Sequence, residues 1–264
     1  MFSSPLKICC GQADGNEHTL SLEPFFIVLF CTFIQSFFGV GILVFGTPIL
    51  LSLGYGYFEV LGILCPSSLG VSLAQIILMR RGGAFPKISD INQSILGVVL
   101  GTALLSIFAV PIFIYFLTAV VMFFAGTLRL SKKIRHSVLK TIGFKSQYFY
   151  FFNAVFHGFS NLGGVLLVFK NSISISKKQE MLFNIACIYA LYVTFQVIVL
   201  TISGNSKWFL EGLLIVPFSI FLNVFLGQNS FCLLSPKMLD AALGVFFISV
   251  GGVLIYKVVG LVIG

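Results

Sequence analysis

Charge is scarce in this chain. Only 9% of its 264 residues are Asp, Glu, Lys or Arg, 58% are hydrophobic, and the mean hydropathy is +1.07. Soluble domains carry about 25% charged residues, so the composition excludes a soluble globular core and predicts an integral membrane protein. The ionic residues gather in short loops separated by long apolar stretches. Strands of an outer-membrane barrel would alternate polar and apolar residues, so the distribution argues for helical spans embedded in a lipid bilayer. The net charge of +8 follows from Lys and Arg collecting in cytoplasmic loops, and no nucleic-acid partner is expected.

Chemistry-bearing groups are as scarce as charge. Glu59, Glu211 and Asp240 lie within a few residues of predicted span ends, and no apolar run holds a central carboxylate. Carboxylate proton relays and carboxylate sodium sites depend on such groups, so neither is expected. There is no Walker loop, no HExxH and no acidic pair for an intramembrane metalloprotease. The run His157-Gly158-Phe159-Ser160 hints at a serine protease, but the other histidines, His18 and His136, fall in polar segments. The six cysteines, at 9, 10, 31, 65, 187 and 232, form no CxxC and no metal-ligand spacing. Most lie in or near apolar runs, where a thiol behaves as a small hydrophobe. The expectation is a non-enzyme with no metal and no cofactor. Residues 1–23 are polar and lack an apolar h-region, so no cleaved signal peptide is expected.

Apolar runs are present at about 24–53, 57–79, 91–129, 147–169, 181–203, 208–227 and 239–262. A spanning helix needs about 20 residues. The run 91–129 therefore holds two spans that turn near Ala109-Val110-Pro111, whereas 24–53 is too long for one crossing and too short for two. Blocks of the first half recur in the second. Glu59 precedes Gln75 by the same interval that separates Glu180 from Gln196; "FIQSFFGVG" (33–41) falls on "VFHGFSNLG" (155–163), pairing Gln35 with His157 and Gly41 with Gly163; Pro111 and Gly126 match Pro236 and Gly251. The predicted organisation is a polar segment 1–23, a first transmembrane repeat 24–129, a basic cytoplasmic linker 130–146 and a second repeat 147–264. About eight membrane segments result, all α-helical. If each repeat opens with a re-entrant hairpin and continues with three crossings, the copies are inverted, and 13 of 16 Lys and Arg share one side. Eight plain crossings would divide them 12 to 4. The inverted arrangement is favoured because it keeps Lys170, Lys177 and Lys178 with the other basic residues.

The opening stretch "SFFGVGILVFGTP" (36–48) concentrates helix breakers inside an apolar run. Gln35, Ser36 and Thr47 add neutral hydrogen-bonding groups, Gly39, Gly41 and Gly46 permit bends, and Pro48 is expected to help end a helix. Its counterpart "HGFSNLGG" gathers His157, Ser160, Asn161, Gly163 and Gly164. Where a helix breaks at membrane depth, the next half-helix presents free N–H groups and the positive end of its dipole, which bind oxyanions without formal charge. The alternative is that small residues simply allow close helix packing. His157 is read either as a ligand donor or as a neutral histidine bonded between helices. In "CPSSLG", Pro66 is expected to kink its helix, while Ser67 and Ser68 either face a substrate or bond back to carbonyls. Gln75 and Gln196 form an equivalent pair, read as interhelical glue or gate residues.

These segments resemble the TauE/SafE sulfite-exporter family, within the toluene-sulfonate uptake permease group. "GVGILVFGTPILLSLG" (39–54) is similar to the family's first-half signature at Gly39, Gly41, Pro48 and Gly54, with Ile42 and Leu43 standing where glycines are usual. "FHGFSNLGGVLL" (156–167) is similar to the second-half signature at Gly158, Gly163 and Gly164, and Ser67-Ser68 takes the place of a Thr-Ser motif. The resemblance implies a permease for small sulfur-containing anions such as sulfite or organosulfonates, in a bacterial inner membrane with its basic loops cytoplasmic. Self-association into a homo-oligomer stays open. Two other readings remain: a carrier of thiosulfate-type species using Cys31, Cys65 and Cys187, and a scaffold that transports nothing. The oxyanion reading predicts that a cysteine-free variant keeps its flux in proteoliposomes, whereas the thiol reading predicts its loss.

Overall fold

The computed structural model describes residues 22–108, 111–131, 148–175, 177–204, 208–227 and 236–263, and all of its regular elements are helical. Most of the polar N-terminal segment and of the basic linker expected at 130–146 lies outside the described residues. Six helices are long and apolar enough to cross a membrane: α3 (Tyr57–Met79), α4 (Ile88–Phe108), α5 (Pro111–Leu130), α8 (Lys178–Ile202), α9 (Phe209–Gly227) and α10 (Pro236–Ile263). Four shorter α-helices, α1 (Leu22–Phe38), α2 (Ile42–Leu53), α6 (Phe149–Ser160) and α7 (Gly163–Ser174), and a 3-10 turn at Arg80–Gly82 make up the rest of the described helical residues. The run 91–129 divides as expected, α4 ending at Phe108 and α5 starting at Pro111, where a missing N–H costs nothing.

The short helices pair into two hairpins. Tyr55, just past α2, donates its hydroxyl to the Glu23 carboxylate at the start of α1 at 3.2 Å, so the two arms return to one level. In the second hairpin the Lys170 ammonium on α7 lies 3.8 Å from the ring centroid of Tyr150 at the start of α6. At 12 residues, α2, α6 and α7 each rise about 18 Å, well short of the ~30 Å hydrocarbon layer. Pro48 does not end its helix, contrary to expectation. It lies inside α2, which continues to Leu53 and stops at Gly54, whose φ of 104° lets the Gly54 and Tyr55 amides turn back onto Leu51 and Leu50. The packed neighbours of α2 hold the helix together across the missing proline donor. Pro66 likewise sits within an unbroken α3.

Close seams set the directions of the long helices. Gly97 and Gly101 of α4 lie against Phe151, Ala154 and Val155 of α6, and Gly158 of α6 lies against Val98 and Thr102, so these two helices run parallel. Gly62 and Gly70 of α3 meet Trp208, Val216 and Ile220 in ascending order, so α3 and α9 are parallel as well. By contrast, Gly126 of α5 faces Gly244 and Ile248 while Gly251 of α10 faces Ala119 and Phe123, so α5 and α10 are antiparallel. Two packing partnerships also recur with the halves exchanged: α6 rests on α4 as α1 rests on α9, and α8 touches α4 as α3 touches α9.

Polarity is distributed inside out. Gln35, Ser67, Ser68, Gln75, His157, Asn161 and Gln196 are fully or almost fully buried, while Ile77, Leu210, Phe218, Phe221 and Phe225 point outward. A lipid-facing surface accepts those apolar side chains, and the bundle interior is where polar groups find partners. By length and apolarity of its helices the chain is a multi-pass membrane protein. A Cβ on Gly101 would overlap the Val155 carbonyl, whereas one on Gly252 meets nothing within 4 Å. Gly101→Leu is therefore expected to lose about 1–3 kcal/mol of stability, and Gly252→Leu almost none, as read by thermal unfolding in detergent.

Candidate functional site

The two hairpin tips are built alike. In the first, α1 ends as Gly39 turns into the left-handed region at φ 76°. In the second, Asn161 takes the same conformation at φ 64°, the one non-glycine residue to do so among the described residues. Their positions are 122 apart, the spacing at which the two segments align. Asn tolerates this region better than other side chains because its short amide can bond locally. Next, Gly41 starts α2 with its missing Cβ directed at the Cys31 carbonyl, 2.6 Å away, and at Gln35. Gly163 starts α7 facing the Asn153 carbonyl at 2.9 Å and His157 at 2.6 Å. Both glycines let the returning arm pack onto the arm before it.

A chain of neutral side chains runs between the tips. Asn161 Nδ2 donates to Thr47 Oγ1 at 3.0 Å, joining the second tip to α2 of the first hairpin. Asn161 Oδ1 accepts from Gln196 Nε2 at 2.9 Å, and the Cys65 thiol lies 3.9 Å from Gln196 Oε1. At the first tip Gln35 Oε1 accepts from the Ile42 amide at 3.0 Å, and the Gln35 carbonyl accepts from Gln75 Nε2 at 3.3 Å. Each glutamine of the equivalent pair thus holds the tip of its own half. Between Cys65 and Gln75, Ser68 and Ser72 follow one face of α3 at spacings of three and four residues, all of them buried. The hydroxyls of Ser67, Ser68 and Ser72 make no hydrogen bond within the protein, so the back-bonding alternative does not describe them.

Other expected residues have local partners. Ser36 donates to the Thr32 carbonyl at 3.0 Å and accepts from Asn223 at 2.9 Å. Ser160 donates to the Phe156 carbonyl at 2.7 Å and accepts from the Leu162 amide at 3.3 Å. Both serines fasten backbone or a neighbouring helix. His157 is enclosed by aromatic rings, stacked on Tyr192 at 4.8 Å and edge-on to Tyr189 at 5.1 Å, and Asn153 donates to the Tyr192 hydroxyl at 3.1 Å. Gly164 lies against Tyr189. No known protein family, curated protein or solved structure matches this chain. Its site must therefore be read from its own chemistry.

That chemistry is hydrogen bonding without formal charge. Amides, hydroxyls and the first turns of two helices, whose N–H groups have no intrahelical carbonyl, can solvate a polar or anionic solute, and there is no carboxylate in these contacts to repel it. Sequence reasoning missed Asn153, Tyr189, Tyr192 and Asn223. The glutamine pair was visible through its repeated spacing from Glu59 and Glu180, but the tyrosines carried no signal, since their neighbours are uniformly apolar. Asn161→Gly keeps the left-handed turn and removes both bridges, with an expected loss of about 1–3 kcal/mol. Asn161→Val adds backbone strain of about 1–2 kcal/mol, so the order of thermal midpoints is wild type, Asn161→Gly, Asn161→Val.

Proposed function

We propose that this chain is a membrane permease, a secondary transporter or facilitator, for small sulfur-containing oxyanions such as sulfite or organosulfonates. It has eight membrane segments in two inverted-topology repeats, each a re-entrant hairpin followed by three crossings. The substrate binds where the hairpin tips meet, and the basic loops face the cytoplasm of a bacterial cell. The observation that carries this reading is the joining of the two matched tips through Asn161 and Thr47. Antiparallel packing of α5 and α10, which hold the equivalent Pro111 and Pro236 at their starts, supports inversion, because equivalent helices of parallel repeats would run the same way. Neutral donors support weak, reversible binding of an anion, which a carrier needs for release.

The thiol reading keeps one point in its favour, the Cys65 sulfur beside Gln196 in the central chain. The test is sulfite and sulfonate flux into proteoliposomes with and without a pH gradient. Wild-type protein is expected to transport at least one of these anions above protein-free background. A Cβ at Gly41 or Gly163 pries apart the arms of its hairpin, so Gly41→Ala and Gly163→Ala are each expected to cut flux about tenfold or more while the protein still inserts and stays monodisperse. Unchanged flux in both variants would remove the tips from the mechanism, and absence of flux in the wild type favours the scaffold.

A further inference from the structure

The two tips differ in how the second arm begins. At the first, Gln35 reaches across and caps the Ile42 amide. Its counterpart His157 makes no such bond. The imidazole lies against Tyr189 and Tyr192, it is fully buried, and neither ring nitrogen has a hydrogen-bond partner within the protein. The Tyr189 hydroxyl is also fully buried and unpartnered, and it abuts Gly164 so closely that a Cβ there would overlap it. Polar atoms buried this completely are nearly always paired. The Tyr189 hydroxyl adjoins the first turn of α7, and the His157 Cβ lies beside Gly163 at the same turn, where Gly163 and Gly164 have N–H groups with no intrahelical acceptor.

We propose that the start of α7 is the oxyanion-binding site, formed by the amides of Gly163 and Gly164, the Tyr189 hydroxyl and the His157 imidazole, whereas the capped start of α2 holds no ligand. This deepens the permease reading and rests on it. The amides and the hydroxyl donate to the anion's oxygens, and the helix dipole favours its charge. A neutral imidazole offers one N–H and one lone pair, so it serves both a bare oxygen and a protonated one. Amide, hydroxyl and imidazole donors together can serve the several oxygens of an oxyanion, whereas a halide offers a single acceptor atom. Gly164 is required because the hydroxyl occupies the place of its side chain. Tyr189 becomes the residue that sets affinity.

The test measures binding of sulfite, sulfate and methanesulfonate to the purified full-length protein by calorimetry, with flux of the same anions in proteoliposomes. Tyr189→Phe is expected to raise Kd and the half-saturating concentration about tenfold or more with an unchanged unfolding midpoint. Gly164→Ala is expected to lose binding, and Gly164→Ala with Tyr189→Phe to regain only part of the stability, because the ring carbons of residue 189 still crowd the new Cβ, and none of the affinity. Tyr115→Phe, the same deletion on α5, leaves both readouts as in the wild type. Normal binding by Tyr189→Phe and Gly164→Ala in a protein that transports overturns this site and leaves the permease reading intact. A wild type that neither binds nor moves any of the three anions overturns both.

Discussion

A chain that turns back inside a packed helical bundle must satisfy its own exposed backbone, because buried N–H and C=O groups are costly to leave unpaired. At the second tip Asn161 meets this demand. Its backbone makes the left-handed turn, its amide nitrogen bonds to Thr47, and its carbonyl oxygen accepts from Gln196. One side chain therefore ties α8 and both hairpins together at the point where regular structure stops. The first tip reaches the same end differently, with Gly39 making the turn and the flanking Gln35 and Gln75 supplying the bonds. The long helices pack around these two turns.

The close seams have the same logic. In lipid, helices gain little from burying apolar surface against each other, so backbone proximity and shape carry the association. Gly97, Gly101 and Gly158 bring α4 and α6 into backbone contact, and Gly126, Gly244 and Gly251 do so for α5 and α10. A rigid frame of this kind leaves the tips as the places where polar groups are concentrated. The serines of α3, lying between Gln75 at one tip and Gln196 at the other, extend that polar zone across the core.

The correspondence between halves is close in backbone and loose in side chains. Gly41 and Gly163 meet equivalent carbonyls, of Cys31 and Asn153, because hairpin geometry requires a bare Cα there. Gln35 and His157 occupy equivalent positions and behave differently: one is long enough to cap the next helix, and the other has a ring that packs with tyrosines. The two tips match in what their backbones need and differ in their side chains.

Sequence by itself determined the membrane class, the division of 91–129 into two helices, the breaks at the two Gly-rich stretches and the spacing that relates them. Each of these rests on local composition or period, which a chain records directly. It misjudged Pro48, because helix termination at Gly54 depends on a turn that a proline rule does not describe. Only the tertiary structure decided that Gln75 and Gln196 hold the tips, that Ser36 and Ser160 bond locally, and that Tyr189 stands over Gly164. Those contacts join residues far apart in the chain. In a membrane helix both the lipid face and the packed face are apolar, so the sequence period no longer says which side chains meet.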